Sequence, residues 1–364
     1  MYKPSEFLET LINTSTRHTY KTALLRYLEV LKSQKIDDVK LDELWLEYLS
    51  QASTPSSDIV QFVSQSQTLH LSPKTIRLYG QIVILYLKEA GIEIPNKVLR
   101  TLKTQTPINR PISREAELNR NVLQTLLNTA DLRLKTEILI AVSSGMRIGE
   151  LLSFHVQDIN LNTTPVEIRL RSEITKNKTA RTVFISREAT EELTLWLAHR
   201  ETLIAYGKIK NDDTRCFPYS KSTEIVKLKK LLKTCHLLET DEQTHRTTIH
   251  FHLFRKYFLT EFKLAASAEV AEELVGHTGY LSDSYRRLTK QSMQEEYLKA
   301  ERYLTISADI VDSKKMQLGK HTDIDTISEE SQSIIQEIQQ QITELKYEIQ
   351  VLNSVLSQTL CDTK

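Results

Sequence analysis

Apolar side chains recur every three to four residues along most of the chain, the period that lines one face of an α-helix. From Ser15 to Lys32 the repeat is Tyr20, Leu24, Tyr27, Leu28 and Leu31, and Leu41 to Leu49 forms a second such segment. Ser72-Pro73 opens a third. Serine caps a helix start, and proline, with no N–H to donate, fits the first helical position. That helix runs through Ile76, Tyr79, Val83 and Leu87 and stops near Gly91. The repeat then lapses at residues 106–114, a polar stretch containing Pro107 and Pro111, which predicts a linker. Helices are predicted again near Asn119–Thr129 and Leu132–Val142.

The period changes to two at Val166, Ile168 and Leu170, which alternate with Glu167, Arg169 and Arg171. A polar turn, Thr175 to Thr179, leads to a return strand through Thr182 to Ile185, so a β-hairpin is predicted. Helical spacing then continues to about Ile306, and residues 307–328 are polar. Ile335, Ile338, Ile342, Leu345, Ile349, Leu352 and Leu356 alternate in steps of 3 and 4, the a/d seam of a coiled coil. The plainer alternative is an amphipathic helix lying on the protein's own body. The strict alternation favours self-association. The fold expected is therefore mainly α with a small β-hairpin or sheet: helical residues 1–105, a linker at 106–114, a second domain at 115–306, a flexible linker at 307–328 and a coiled-coil tail at 329–360.

A length of 364 residues allows two domains, each with its own core. Eight glycines and eight prolines are few, which agrees with helix. The net charge of +1 conceals an asymmetry: residues 321–364 hold eight acidic residues against two lysines, so the rest of the chain carries +7. A modestly basic body suits a polyanionic partner, although ordinary charge scatter explains it as well. No stretch approaches the ~20 apolar residues of a membrane span, and the first ten residues lack an apolar signal core. A cytoplasmic protein is expected. Cys216, Cys235 and Cys361 have neither metal-ligand nor disulfide spacing and read as reduced thiols.

Three short motifs carry candidate chemistry. In Gly145-Met146-Arg147-Ile148-Gly149-Glu150 the Arg and Glu stand three apart, on one helical face. A Glu-held Arg presents a rigid fork to phosphate, but alone the pair reads more simply as a helical ion pair. His252 and Arg255 are also three apart, near the start of a helix with the apolar stripe Phe254, Phe258, Phe262. In isolation they read more simply as a His and an Arg on a solvated face. Gly276-His277 precedes Tyr285 by eight residues, in a chain with fourteen tyrosines.

Taken together and in order, Arg147 in Gly-x-Arg-x-x-Glu, Lys176 on the hairpin, His252-x-x-Arg255, Gly276-His277 and Tyr285 resemble the tyrosine recombinase family, the integrase class. The resemblance covers roughly Asn119 to Ile306. It extends to the N-terminal helices, as a helical core-binding (SAM-like) DNA-binding domain, only in general pattern. The stretch from Asp283 to Ile306 looks closest to archaeal members. Lys176 stands five residues before Arg181, as in the family's hairpin, and so is preferred to Lys178. Tyr280, Tyr297 and Tyr303 are alternatives to Tyr285. Tyr280 is too near His277 for the pattern, and the other two lie in a helical segment that family members often set against a neighbouring protomer.

The resemblance implies that Tyr285 attacks a phosphodiester of double-stranded DNA, forming a 3′-phosphotyrosyl bond and releasing a 5′-hydroxyl. Arg147 and Arg255 would clamp the non-bridging oxygens. His252 would position the phosphate and share protons with Tyr285, His277 would donate a further hydrogen bond, and Lys176 would protonate the leaving oxygen. No metal or other cofactor is expected, since the sequence has no Walker-type loop and no clustered carboxylates. The expected partners are duplex DNA and further copies of the chain, four on paired sites. The tail favours integration or excision of a mobile element, virus or plasmid over a Xer-like resolvase of chromosome or plasmid dimers. A type IB topoisomerase and a DNA-binding protein without catalysis are the rivals outside that role.

Overall fold

The computed structural model describes residues 2–51, 55–68, 71–105, 115–242, 246–277 and 288–307. The linker at 106–114, Tyr280, Tyr285 and the coiled-coil repeat lie outside them. Among the described residues the fold is mainly helical with one small antiparallel sheet. They form two compact units, one reaching Glu117 and including Leu238–Ile249, the other running from Leu118 to Leu237 and from His250 onward.

The first unit holds α1 (Pro4–Glu9), α2 (Thr14–Lys32), α3 (Leu41–Gln51), α4 (Pro55–Thr68), α5 (Pro73–Glu89) and α6 (Asn96–Gln105). Helix α2 starts where Asn13 accepts from the Ser15 and Thr16 amides, and α5 starts where Ser72 accepts from Thr75. Leu24, Tyr27 and Leu28 of α2 are fully buried, as the repeat requires. Around them Tyr27 stacks on Trp45 at 5.4 Å between ring centres. Tyr27 donates to Tyr48 (2.9 Å), which donates to Asp58 (2.8 Å). The aromatic core thus satisfies its own hydroxyls.

The second unit contains α7 (Arg120–Thr129), α8 (Leu132–Ser144), the short α9 (Ile148–Leu151), strands β1 (Ile159–Asn160), β2 (Val166–Leu170) and β3 (Arg181–Ile185), then α10 (Arg187–Ala205), α11 (Lys221–Thr234), α12 (Phe251–Ala265), α13 (Ala268–Val275) and α14 (Lys290–Leu304). The predicted hairpin is β2–β3, with Ile168 opposite Val183, and β1 adds a third strand with Ile159 opposite Ile168. Helix α8 is buried on nearly every side because α10, α12 and β3 pack around it. It ends at Gly145, whose φ of +65° and closeness to Phe258 leave no room for a side chain: a Cβ there would lie 2.5 Å from that ring.

Candidate active site

The last carbonyls of a helix have no partner within it, and that end carries partial negative charge. At the end of α13 these carbonyls gather four side chains from three separate parts of the chain. Arg181 donates from Nε to the Leu274 carbonyl at 2.8 Å. Arg255 donates to Val275 at 2.6 Å, and Arg147 approaches the same oxygen at 3.5 Å. Asn177 donates to the carbonyl of Gly276 at 3.2 Å. Three of the four are guanidinium groups, the charge that a helix C-terminus favours.

Arg147 precedes α9, and Glu150 closes that turn by accepting from the Arg147 amide and from its Nη1, both at 2.9 Å. Arg181 adds a bidentate pair to the same carboxylate at 3.1 and 2.7 Å. Burial alone would raise the Glu150 carboxyl. The hydrogen bonds and charge of Arg181, then those of Arg147, outweigh it and hold the group below the ordinary carboxylate range. Glu150 is therefore a buried anion shared by two cations.

Arg255 is the most buried of these cations, at 1% exposure. Besides its bond to Val275 it donates to Gly145 at 2.6 Å, which ties α12 to the end of α8. Burial, then the neighbouring charge of Arg147, lowers it to about 10, so it is still a cation at neutral pH. His252 lies one helical turn earlier, exposed at the start of α12. The Phe254, Phe258 and Phe262 stripe is fully buried and fixes the helix, as the sequence pattern implies.

The β2–β3 turn is held by Thr175, whose hydroxyl lies 3.0 Å from the carbonyls of both Ser172 and Thr179. Lys178, at φ +56°, turns back and donates to Glu173 at 3.2 Å. Lys176 instead lines a cavity of about 390 Å³ together with Arg147, His252 and Arg255. Four of the six sequence-predicted residues therefore share one cavity. His277 is not among its lining residues. It follows the Gly276 turn, half-exposed, and its Nδ1 donates to Glu272 at 2.6 Å. A carboxylate accepts, so Nδ1 carries a proton and the ring is oriented by Glu272. Lys263 also pairs with Glu272, and these partners together hold the carboxyl below its usual range against the effect of burial.

Sequence reasoning missed Lys221, which lines the cavity from the first residue of α11 behind its Ser220 cap. The Ser-Lys cap signature was legible, but its position beside Arg147 was not. Tyr297, an alternative nucleophile, is fully buried in its own unit's core between Phe184 and Phe262 and donates to Ser143 at 2.8 Å. Burial pushes its hydroxyl well above the ordinary phenol range, which suits packing and not nucleophilic attack. Tyr303 accepts from Arg302 at 2.8 Å.

The helical unit with its three-stranded sheet holds a cavity lined by two guanidiniums, two lysines and a histidine, a cationic lining that suits an anionic group. Residues 114–291 match the model of the phage integrase family. Through this segment the chain is similar to that family, and the curated relatives it matches are tyrosine recombinases. It is 22% identical over 302 residues to tyrosine recombinase XerA of Pyrococcus horikoshii, covering 82% of this chain and 98% of the relative. It is 23% identical over 303 residues to XerD of Rickettsia bellii, covering 75% and 89%. A lambda integrase(75-356) dimer bound to a COC′ core site aligns at TM-score 0.45 and 16% identity, over 74% of this chain and 98% of that one. Among the described residues no helix is long and apolar enough to cross a membrane.

Proposed function

We propose that this recombinase integrates or excises a mobile element, virus or plasmid, cutting and rejoining duplex DNA through Tyr285. The observation that carries the chemistry is the single cavity shared by Arg147, Lys176, His252 and Arg255. The Tyr285 oxygen attacks the scissile phosphorus as the bond to the 5′-oxygen breaks, leaving a 3′-phosphotyrosyl link. Charge on the non-bridging oxygens meets Arg147 and Arg255, whose anchored guanidiniums need no reorganisation. His252 accepts the tyrosine proton, His277 hydrogen-bonds the phosphate, and Lys176 supplies the proton to the departing 5′-oxygen. Rejoining reverses each transfer, with the 5′-hydroxyl of another strand as nucleophile. Residues 1–105 serve as the second DNA-binding domain, and four protomers act on two paired sites.

A duplex nicked beside the scissile phosphate tests this, because loss of the short product traps the covalent intermediate. Tyr285→Phe removes one oxygen and should abolish the denaturation-resistant adduct while DNA binding persists. An adduct that survives the substitution would exclude Tyr285 as nucleophile and direct the search to Tyr280. The match over nearly the full length of XerA favours a second reading, resolution of chromosome or plasmid dimers. Recombination confined to identical sites would support it, and joining of two unlike sites would support the element-mobilising role.

A further inference from the structure

Arg181 does not line the cavity, yet it makes more hydrogen bonds to the surrounding framework than Arg147 does. Its side chain is 7% exposed and that of Glu150 is 2% exposed. Two parallel N–H groups meet the two Glu150 oxygens, the fork-to-carboxylate geometry only arginine supplies, while Nε holds Leu274. The guanidinium packs so closely on the turn after α13 that a Cβ on Gly276 would lie 3.1 Å from it. Arg181 is also the first residue of β3, the strand that leaves the Lys176 turn.

We infer that Arg181 is a positioning residue for strand transfer, holding Glu150 so that the Arg147 guanidinium remains available to the scissile phosphate. The inference rests on the reading of Arg147 as a phosphate ligand. A buried carboxylate stripped of one partner is costly and recruits whatever cation can reach it. Arg147 is the cation in reach: it already donates one Nη to Glu150, and its side chain, 26% exposed, has room to turn. Without Arg181 the Arg147 fork closes on Glu150 and leaves the cavity. The same loss frees the Leu274 carbonyl, so the hairpin and the α13 turn lose their buried tie.

Single-turnover cleavage of the nicked duplex by excess full-length protein separates this role from plain folding support. The amplitude reads the folded, active fraction and the rate constant reads the site. Arg181→Gln should lower the rate constant about tenfold or more in the wild-type background, but less than about threefold when Arg147 is already alanine. Arg181→Lys keeps the charge without the fork and should show the same pattern, which covers the case of a poorly folding glutamine variant. The inference is overturned if Arg181 variants lose amplitude alone, or if their rate defect multiplies with that of Arg147→Ala. A wild-type rate constant for Arg147→Ala on its own would instead overturn the reading of Arg147 as phosphate ligand.

Discussion

Arg147 and Arg255 face the same cavity with different debts to the fold. Replacing either by alanine should slow covalent trapping by about 10²–10³, the usual effect of losing one preorganised donor. Stability should separate them. Arg255 satisfies the carbonyls of Gly145 and Val275, so Arg255→Ala leaves the buried Gly145 acceptor unmet, at a cost of about 1–3 kcal/mol, and leaves Val275 with only the longer 3.5 Å contact from Arg147. Arg147→Ala leaves Glu150 still paired with Arg181 and should move a urea midpoint much less. Equal midpoint shifts, or trapping within tenfold of wild type for both, would contradict this division. Away from the cavity, Glu137 and Glu224 are both fully buried, with Arg133 reaching Glu224 at 3.2 Å. Burial, then the charge of Glu224, drives the Glu137 carboxyl well above its ordinary value, against the opposing charges of Arg133 and Lys227. Above the ordinary carboxylate range the unfolded chain releases this proton while the folded chain keeps it. The contribution to stability is therefore full at acid pH and is lost as pH rises through the elevated value. Glu137→Gln mimics the protonated form, so its Tm should gain on wild type as pH increases from about 5 to 9. A Tm difference that stays constant with pH would remove Glu137 from the account.

At the scale of elements, the hairpin turn is a delivery device: Thr175 and Asn177 fix it from both sides, Lys178 folds back, and Lys176 is directed into the cavity. Lys176→Ala should therefore be defective on ordinary DNA and recover on a substrate whose bridging 5′-oxygen is sulfur, because a thiolate departs without a proton. An equal cleavage defect on both substrates would take the general-acid role away from Lys176, and recovery by Lys178→Ala would transfer it two residues along. The turn also shows what a sequence can reveal. Helices α2, α5, α7 and α8 and the β2–β3 pair are legible because period and caps are local signals. Helices α1, α4 and α6 are not: α1 has six residues, and α4 opens on Pro55-Ser56-Ser57-Asp58, a composition that reads locally as a loop. Strand β1 is two residues long and exists only because β2 is beside it. The motif residues could be found because each has a fixed neighbour, such as Glu150 after Arg147. Their other partners could not: Arg147 and Val275 are 128 positions apart, and Arg181 and Glu150 are 31 apart. Burial of Glu137 is equally hidden, since nothing nearby in sequence distinguishes it from the solvated glutamates.

For the whole molecule, the tail is the part whose contribution should be separable from cleavage. The apolar repeat from Ile335 to Leu356 follows every candidate catalytic residue. A lone helix of that length is marginal in water, so its seam calls for a partner helix, and a partner from another protomer would raise the effective concentration of recombinase on paired sites. Truncation after Ser307 should leave single-site trapping unchanged and reduce joining of two sites, with full-length protein sedimenting as a larger species than the truncated form. Monomers in both cases across micromolar concentrations would end the coiled-coil reading, and tighter DNA binding by the truncated form would point to an acidic tail competing for the groove. The end of α13 has a consequence of another kind. Residues 147, 177, 181 and 255 converge on three successive carbonyls, so the distances between these side chains are measured from one helix terminus and not along the chain. Connections far from that terminus are free to change length, since closing a longer loop costs only logarithmically more. The exposed turn at Asn211 and Asp212 is such a connection. A reactive centre organised in this way can persist while the polypeptide between its parts lengthens, shortens or acquires new surfaces for new target sequences.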